Sequence, residues 1–383
     1  MLKSIEQASF LFRIIPLGLC NVRTEIAMRI AVNAVPLLQD TPADSGNVTT
    51  EMLYRLCRLH PDVEFLLITD RSWEPPVILP ANAQDLVLKP WTGGRLGKYA
   101  WRRWQWQKAI KKYKADRVLC IDEVLAVPAN IPAYLMLTRQ TEVLNRASTA
   151  KYIRQYSGIL LFSTFMREEV IKRFADLDGK IHTLPPGVSE TYIPLNWEER
   201  EEVKREYADG MEYYISVASI HPDNNIRPLL KAFSMLKKRL RTSMKLVLAG
   251  RLTHEGEEIA ESLQTYKFRD DVIWVEDPEE TELAKLIAGA YGLVHTVGAD
   301  GLAVPIYMAL RCQVPAVTLY AGASPEAGGD ASLNAVPDDI TDLSEKLGAL
   351  YKDEMLRSKL LAHITRTESW DEGALQLGRV ITG

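Results

Sequence analysis

Short apolar runs alternate with longer amphipathic ones along nearly the whole chain, and that alternation limits the fold more than any other feature. It is the pattern of βαβ units that build parallel sheets. "RIAVNAV", "VEFLLIT", "RVLCI", "AYLML" and "GILLFS" read as strands, with helices through "VTTEMLYRLCRLH" and "KYAWRRWQWQKAIKKYKA". A polar, charge-rich bridge, "SETYIPLNWEEREEVKREYADG", separates these from a second series. There "YYISVAS", "KLVLAG", "VIWVE", "GLVHTV" and "PAVTLY" are strands, while "IRPLLKAFSMLKKRLR", "EIAESLQTY", "TELAKLIAGA" and "AVPIYMALR" are helices. At 383 residues the chain exceeds the size at which one core usually divides, so the reading is α/β with two Rossmann-like parallel-sheet lobes. Ligands of such sheets sit beyond the carboxyl ends of the strands, and the cleft between lobes is the default site.

Hydrophobic residues at 47%, charged residues at 25% and a net charge of -4 are those of an ordinary globular protein and point away from nucleic acid as a partner. Cys20, Cys57, Cys120 and Cys312 are far apart and form no C-x-x-C pair, so neither a metal site nor a disulfide framework is expected, and a reducing cytoplasm fits. The apolar stretch "SFLFRIIPLGLC" is interrupted by Arg13 and Pro16 and falls short of a membrane span. The first domain is expected to start at Met28, with residues 1–27 an extension from a misassigned start or a weak interfacial helix.

Four strand-to-helix loops are the candidates for binding. "DTPADSGNVTTE" carries Gly46 near a helix start, where exposed N–H groups favour an anion, although turn chemistry accounts for the same glycine. It is not G-x-G-x-x-G, and a nicotinamide cofactor is not indicated. "SIHPDNNIRPLLKAF" offers Asp223 and Asn224, read either as helix caps or as part of a loop open to a phosphate-bearing ligand. No cation lies between His221 and Arg227, and Asp223 would repel a diphosphate. "LAGRLTHEG" places Gly250 and Arg251 at a strand end, where the planar guanidinium either pairs with a phosphate or lies solvated on the rim. In "TVGADGLAVPIYMALRCQVP", Gly298 and Gly301 permit a tight loop, and a helix from about Ala303, with Pro305 in its first turn, aims N–H groups at the cleft.

These motifs resemble those of the retaining, nucleotide-sugar-dependent glycosyltransferases of family 4, which adopt the two-lobed GT-B fold. The resemblance is carried by the loops above together with "FSTFMREEVIKRF", "KIHTLPPGVSE", "SPEAGGDAS" and "ESWDEGALQL", and it covers roughly residues 28–383 in order. It implies an acceptor-side domain over 28–190, a nucleotide-sugar-side domain over 191–365, and a C-terminal helix over 366–383 packing back on the first lobe. The implied reaction moves a hexose from a nucleotide diphosphate sugar to a glycan or lipid-linked acceptor with retention, in surface polysaccharide or glycan biosynthesis. No cofactor and no metal are implied, because cations and helix N-termini stabilise the departing diphosphate. In the family this last loop carries two glutamates around a Gly-Phe-Gly-Leu-Pro core, the first beside the transferred sugar and the second on the donor ribose. Here the first position falls on Asp300 and the second on Met308; Gly301 and Pro305 match the core, while Leu302, Ala303 and Val304 replace Phe, Gly and Leu. Asp300 is thus expected at the sugar hydroxyls, with Gly301, Leu302 and Ala303 offering backbone N–H groups to sugar and phosphate.

Three places depart from the family. Met308 is a poor acceptor for ribose hydroxyls. Asp223 and Asn224 replace an arginine and a lysine; two charge-assisted hydrogen bonds at about 1.5–3 kcal/mol each amount to roughly 3–6 kcal/mol, or about two to four decades in donor affinity. The family's His-Asp pair falls on Thr138 and Arg139, which makes Arg139, with Arg251, the compensating cation. Three classes of function are consistent with these residues. The first is an active transferase with Asp300 and Arg139 at the reaction centre. The second is an inactive relative serving as a binding or scaffold partner. The third is another enzyme on two such lobes, for instance an epimerase, against which "SPEAGGDAS" and "ESWDEGALQL" speak. Trp101, Trp104 and Trp106, with Arg102, Arg103, Lys108, Lys111 and Lys112, either form an interfacial helix or pack their rings on the first sheet with the cations solvated. The expected location is cytoplasmic, with peripheral contact to the inner face of the membrane as one outcome.

Overall fold

The computed structural model describes residues 28–38, 48–73, 78–91, 94–364 and 369–383. Strands β1 (Met28–Asn33), β2 (Val63–Thr69), β3 (Ala83–Val87), β4 (Arg117–Ile121), β5 (Ala133–Met136), β6 (Gly158–Leu161) and β7 (Ile181–Thr183) form one sheet in the order β3-β2-β1-β4-β5-β6-β7. Strands β8 (Tyr213–Val217), β9 (Lys245–Ala249), β10 (Val272–Val275), β11 (Gly292–His295), β12 (Ala316–Leu319) and β13 (Ser332–Ala335) form a second, in the order β10-β9-β8-β11-β12-β13. The pairings within both sheets are parallel. In each lobe the order reverses beside the first strand, between β1 and β4 and between β8 and β11, so the loops leaving those strands part and open a crevice.

The central strands are apolar because helices cover both faces; every residue of β2 and of β8 is buried. The helix Val48–Leu59 turns Met52, Leu53, Leu56 and Cys57 to the first sheet, and Ile226–Leu240 turns Leu229, Leu230, Phe233 and Leu236 to the second, at helical spacing. Each such buried side chain contributes about 1.5–3 kcal/mol. The edge strands are different. β3 is half exposed, and β7 and β13 are short and polar, so none of the three shows in the pattern of apolar runs.

Two readings of the sequence change here. The polar bridge contains a helix, Trp197–Tyr207, started by a capping box in which the Asn196 side chain accepts from Glu199 N at 3.0 Å while Asn196 N donates to Glu199 at 2.9 Å. Only Val203 and Lys204 of this helix are buried, which is why it reads as a solvated linker. The three tryptophans also divide. Trp101 and Trp106 are buried, and Trp101 Nε1 donates to Leu88 O at 2.6 Å, whereas Trp104 is 50% exposed. They sit on a helical run of Gly94–Ala100, a π-turn Trp101–Gln105 and Trp106–Lys112.

The C-terminal helix Trp370–Thr382 lies against the first-lobe helix Val48–Leu59. Arg55 ties this joint together: its guanidinium, 11% exposed, donates to Glu51 (3.2 Å), Glu190 (3.0 Å) and Asp371 (2.7 Å). An isolated parallel bridge pairs Val188 with Ser369, and Gly187 approaches Trp370 so closely that a Cβ there would stand 2.4 Å from its backbone. Among the described residues no helix is long and apolar enough to cross a membrane. Residues 1–27 and Gly46 lie outside the described residues.

Candidate functional site

The second lobe's crevice is bounded by the loops after β8 and β11. In the latter, Asp300 is fixed from three sides. Its Oδ1 accepts from Leu302 N at 2.8 Å, its Oδ2 lies 3.3 Å from His295 Nε2, and its carbonyl accepts from Ala323 N at 2.8 Å. His295 Nε2 faces the carboxylate without an aligned hydrogen bond. Burial alone pushes the Asp300 carboxyl up, but His295 and the N–H groups of Ala303 and Leu302 outweigh it, and the net shift is below the ordinary carboxylate value. Asp300 is therefore ionised at neutral pH. His295 is 2% exposed and was not singled out from sequence, although it is the last residue of the strand leading into this loop.

The same contacts alter one expectation. Leu302 and Ala303 direct their N–H groups at the Asp300 carboxylate, not outward toward a ligand. Aspartate is one methylene shorter than the family's glutamate, so its oxygens fold back on the turn that follows. Ala303 holds the left-handed conformation (φ 50°) where the family has glycine, and the helix begins at Val304 with Pro305 in its first turn. Met308 faces inward at 6% exposure and packs in the apolar core. Gly301 uses its carbonyl across the lobes, accepting from Ser163 Oγ at 2.7 Å. Next to it, Glu326 accepts from Thr164 N at 2.7 Å and Thr164 Oγ1 at 3.1 Å, a second link between the lobes at the carboxyl end of β6.

In the loop after β8, neither Asp223 nor Asn224 caps the helix. Asn225 precedes Ile226 with φ 55°, and its amide donates to Thr296 O at 2.9 Å. Asn224 is buried, donates to Ser219 O at 2.8 Å and has its carbonyl taken by Thr296 Oγ1 at 2.8 Å, so its amide serves the loop itself. The Asp223 carboxylate is 89% exposed. At the end of β9, Gly250 uses both backbone groups inside the lobe, its N–H on Val275 O (3.1 Å) and its carbonyl under Trp274 Nε1 (2.9 Å). A Cβ at Gly250 would stand 2.2 Å from Ala218 O, so this glycine is required by close packing of backbones. Arg251 beside it is half-buried and has no carboxylate partner for its guanidinium among the described residues.

The first lobe holds a cavity of about 340 Å³ at its own switch point, lined by Val35, the Asp122–Ala126 segment, Arg102, Arg103, Arg139, Arg146, Tyr99 and Tyr152 among others. Asp122, at the tip of β4, is 2% exposed with φ 46° and accepts from Thr138 N (2.7 Å), Arg139 N (3.0 Å) and the Thr138 hydroxyl. Arg139 is shared between Asp122 and Glu142, each at 3.7 Å, so its charge is committed within the lobe and is not spare for a donor diphosphate. Asp122 and Glu123 were missed from sequence; the signal was their place directly after "RVLCI".

Comparison with known proteins agrees with this architecture. Residues 198–366 match the family Glycosyl transferases group 1. The O-antigen chain mannosyltransferase B of Escherichia coli is 28% identical over 200 residues, 52% of this chain and 52% of that protein, so the chain matches about half the length of this relative. The crystal structure of WaaG, a glycosyltransferase involved in lipopolysaccharide biosynthesis, superposes with a TM-score of 0.69 at 14% identity, covering 93% of this chain and 99% of that one. Anabaena Alr3699/HepE in complex with UDP and glucose superposes with a TM-score of 0.67 at 12% identity, covering 93% and 99%.

Proposed function

We propose that this chain, whose residues 198–366 are a glycosyl transferases group 1 domain within a GT-B fold, transfers a hexose from a nucleotide diphosphate sugar to a glycan or lipid-linked acceptor with retention, in polysaccharide biosynthesis. The observation that carries this reading is the ionised Asp300 carboxylate fixed beside the second lobe's switch point. At that place a carboxylate accepts hydrogen bonds from the sugar and opposes the positive charge that grows at the anomeric carbon as the diphosphate leaves. Arg251 is the cation assigned to the diphosphate, and Arg139 pairs with Asp122 on the acceptor side. Mannose is the hexose to test first, because the O-antigen relative is named a mannosyltransferase. The test is calorimetric titration with UDP, GDP and their sugars, followed by a product assay. Roughly micromolar binding that Arg251→Ala weakens at least tenfold supports the reading, and no response at about millimolar ligand sinks it.

A second reading, an inactive relative acting as a binding or scaffold partner, is favoured by specific residues. The N–H groups of Leu302 and Ala303 are consumed by Asp300, Met308 is buried, and Asp223 stands where the family has a cation. Nucleotide binding without turnover separates this reading from the first. A peripheral membrane contact is assigned to the exposed face of Trp91, Leu96, Tyr99 and Trp104, where Lys108 lies 5.5 Å over the Trp91 ring. On this reading the protein works at the cytoplasmic face of a membrane, and failure to sediment with anionic vesicles would remove the contact.

A further inference from the structure

The first-lobe cavity has a chemistry of its own. Four guanidinium groups, Arg102, Arg103, Arg139 and Arg146, line a space of about 340 Å³, within the range of small-molecule sites. Three carboxylates accompany them, and each is engaged. Asp122 holds Thr138 and Arg139, Glu123 accepts from Asn33 Nδ2 at 3.1 Å and Arg102 Nε at 2.5 Å, and Glu142 lies between Arg139 and Arg146. Four cations against three anions leave one positive charge, and Arg103 is the arginine without a carboxylate partner among the described residues. The floor is rigid: the buried Tyr156 hydroxyl accepts from Leu125 N and donates to Leu125 O, both at 3.0 Å. Tyr99 and Tyr152 complete the walls.

We propose that this cavity recognises a phosphate ester carried next to a sugar, the head group of the acceptor; only the word acceptor rests on the transfer reading above. Planar guanidinium forks suit phosphate oxygens, while the buried carboxylates accept from sugar hydroxyls. Tyr99, Arg102 and Arg103 belong to the same helical run as the exposed Leu96 and Trp104, so one wall of the cavity continues into the exposed aromatic face. A lipid-linked phosphate reaches the site from that side, and a soluble sugar phosphate offers the same chemistry without the tail.

The test titrates the full chain with mannose 1-phosphate and with geranylgeranyl phosphate in micelles. Binding of either probe, weakened about tenfold or more by Arg103→Gln and by Arg146→Gln with an unchanged thermal midpoint, supports the site. Tighter binding of the lipid probe identifies a lipid-linked source, and tighter binding of the sugar phosphate a soluble one. The proposal is overturned if neither probe binds at about millimolar concentration, if binding survives both substitutions together, or if Arg251→Ala removes it, which would put the phosphate in the second lobe. Nucleotide-sugar titration of the same variants keeps the two readings apart: its failure alongside intact phosphate binding counts against transfer and not against this site.

Discussion

Replacing Asp300 by alanine, asparagine and glutamate separates what its carboxylate does for the loop from what it does in the cleft. Alanine strands the N–H groups of Leu302 and Ala303 in a nearly closed turn and removes the carboxylate that faces His295. Each unmade buried bond costs about 1–3 kcal/mol; with the Asp300 side chain 20% exposed, water relieves part of this, and a loss of about 2–3 kcal/mol is expected. Asparagine keeps an acceptor but not the charge, for a loss of about 1 kcal/mol. The native state lowers the Asp300 pKa, so the wild-type margin over asparagine is complete above the ordinary carboxylate value near 4 and disappears as pH falls through the lower folded value. Glutamate gives up the turn, lowers stability by about 1–2 kcal/mol, and reaches further into the cleft, raising donor affinity if the transfer reading holds. Urea denaturation followed by circular dichroism at about pH 7 and pH 2.5, with a nucleotide-sugar titration of each variant, measures all of this. An alanine variant within about 0.5 kcal/mol of wild type, or an asparagine margin that is the same at both pH values, would refute the account of the loop.

Two further substitutions test the joint between the lobes. Arg55→Met is expected to cost about 2 kcal/mol at neutral pH, a figure discounted because Glu190 and Asp371 are 60% and 39% exposed. Arg55 is the main cause of the lowered Glu190 pKa and, with Arg58, overcomes the opposing effect of burial on Asp371; the cost therefore shrinks as acid protonates both, and a loss undiminished at about pH 2.5 contradicts this. Gly187→Ala forces a methyl group against the Trp370 backbone and is expected to destabilise by about 1–3 kcal/mol while exposing the C-terminal helix to limited proteolysis; an unchanged cleavage pattern would show that the close approach yields easily.

Much of the fold was legible because parallel strands covered on both faces are apolar throughout, as β2 and β8 are. The edge strands β3, β7 and β13 escaped because an exposed face or a short span breaks the apolar run. The helix Trp197–Tyr207 escaped for the opposite reason, since its solvated faces carry charge, yet Asn196 and Glu199 announced its start. In the candidate site, the positions of Asp300 and Arg251 could be read from their places after strands. The direction of the Leu302 and Ala303 N–H groups could not, because it depends on one methylene in a neighbouring side chain. Nor could the sharing of Arg139 between Asp122 and Glu142, which arises only when β4 and β5 lie side by side.

The bridge from Val188 to Ser369 has a mechanical consequence. Both passages of the chain between the lobes meet at one spot among the described residues, where Gly187 and Trp370 touch, so any change in the angle between the lobes has to be accommodated there. The Thr164–Glu326 and Ser163–Gly301 links join the carboxyl end of β6 to the second lobe, so opening the cleft about that spot would have to break them.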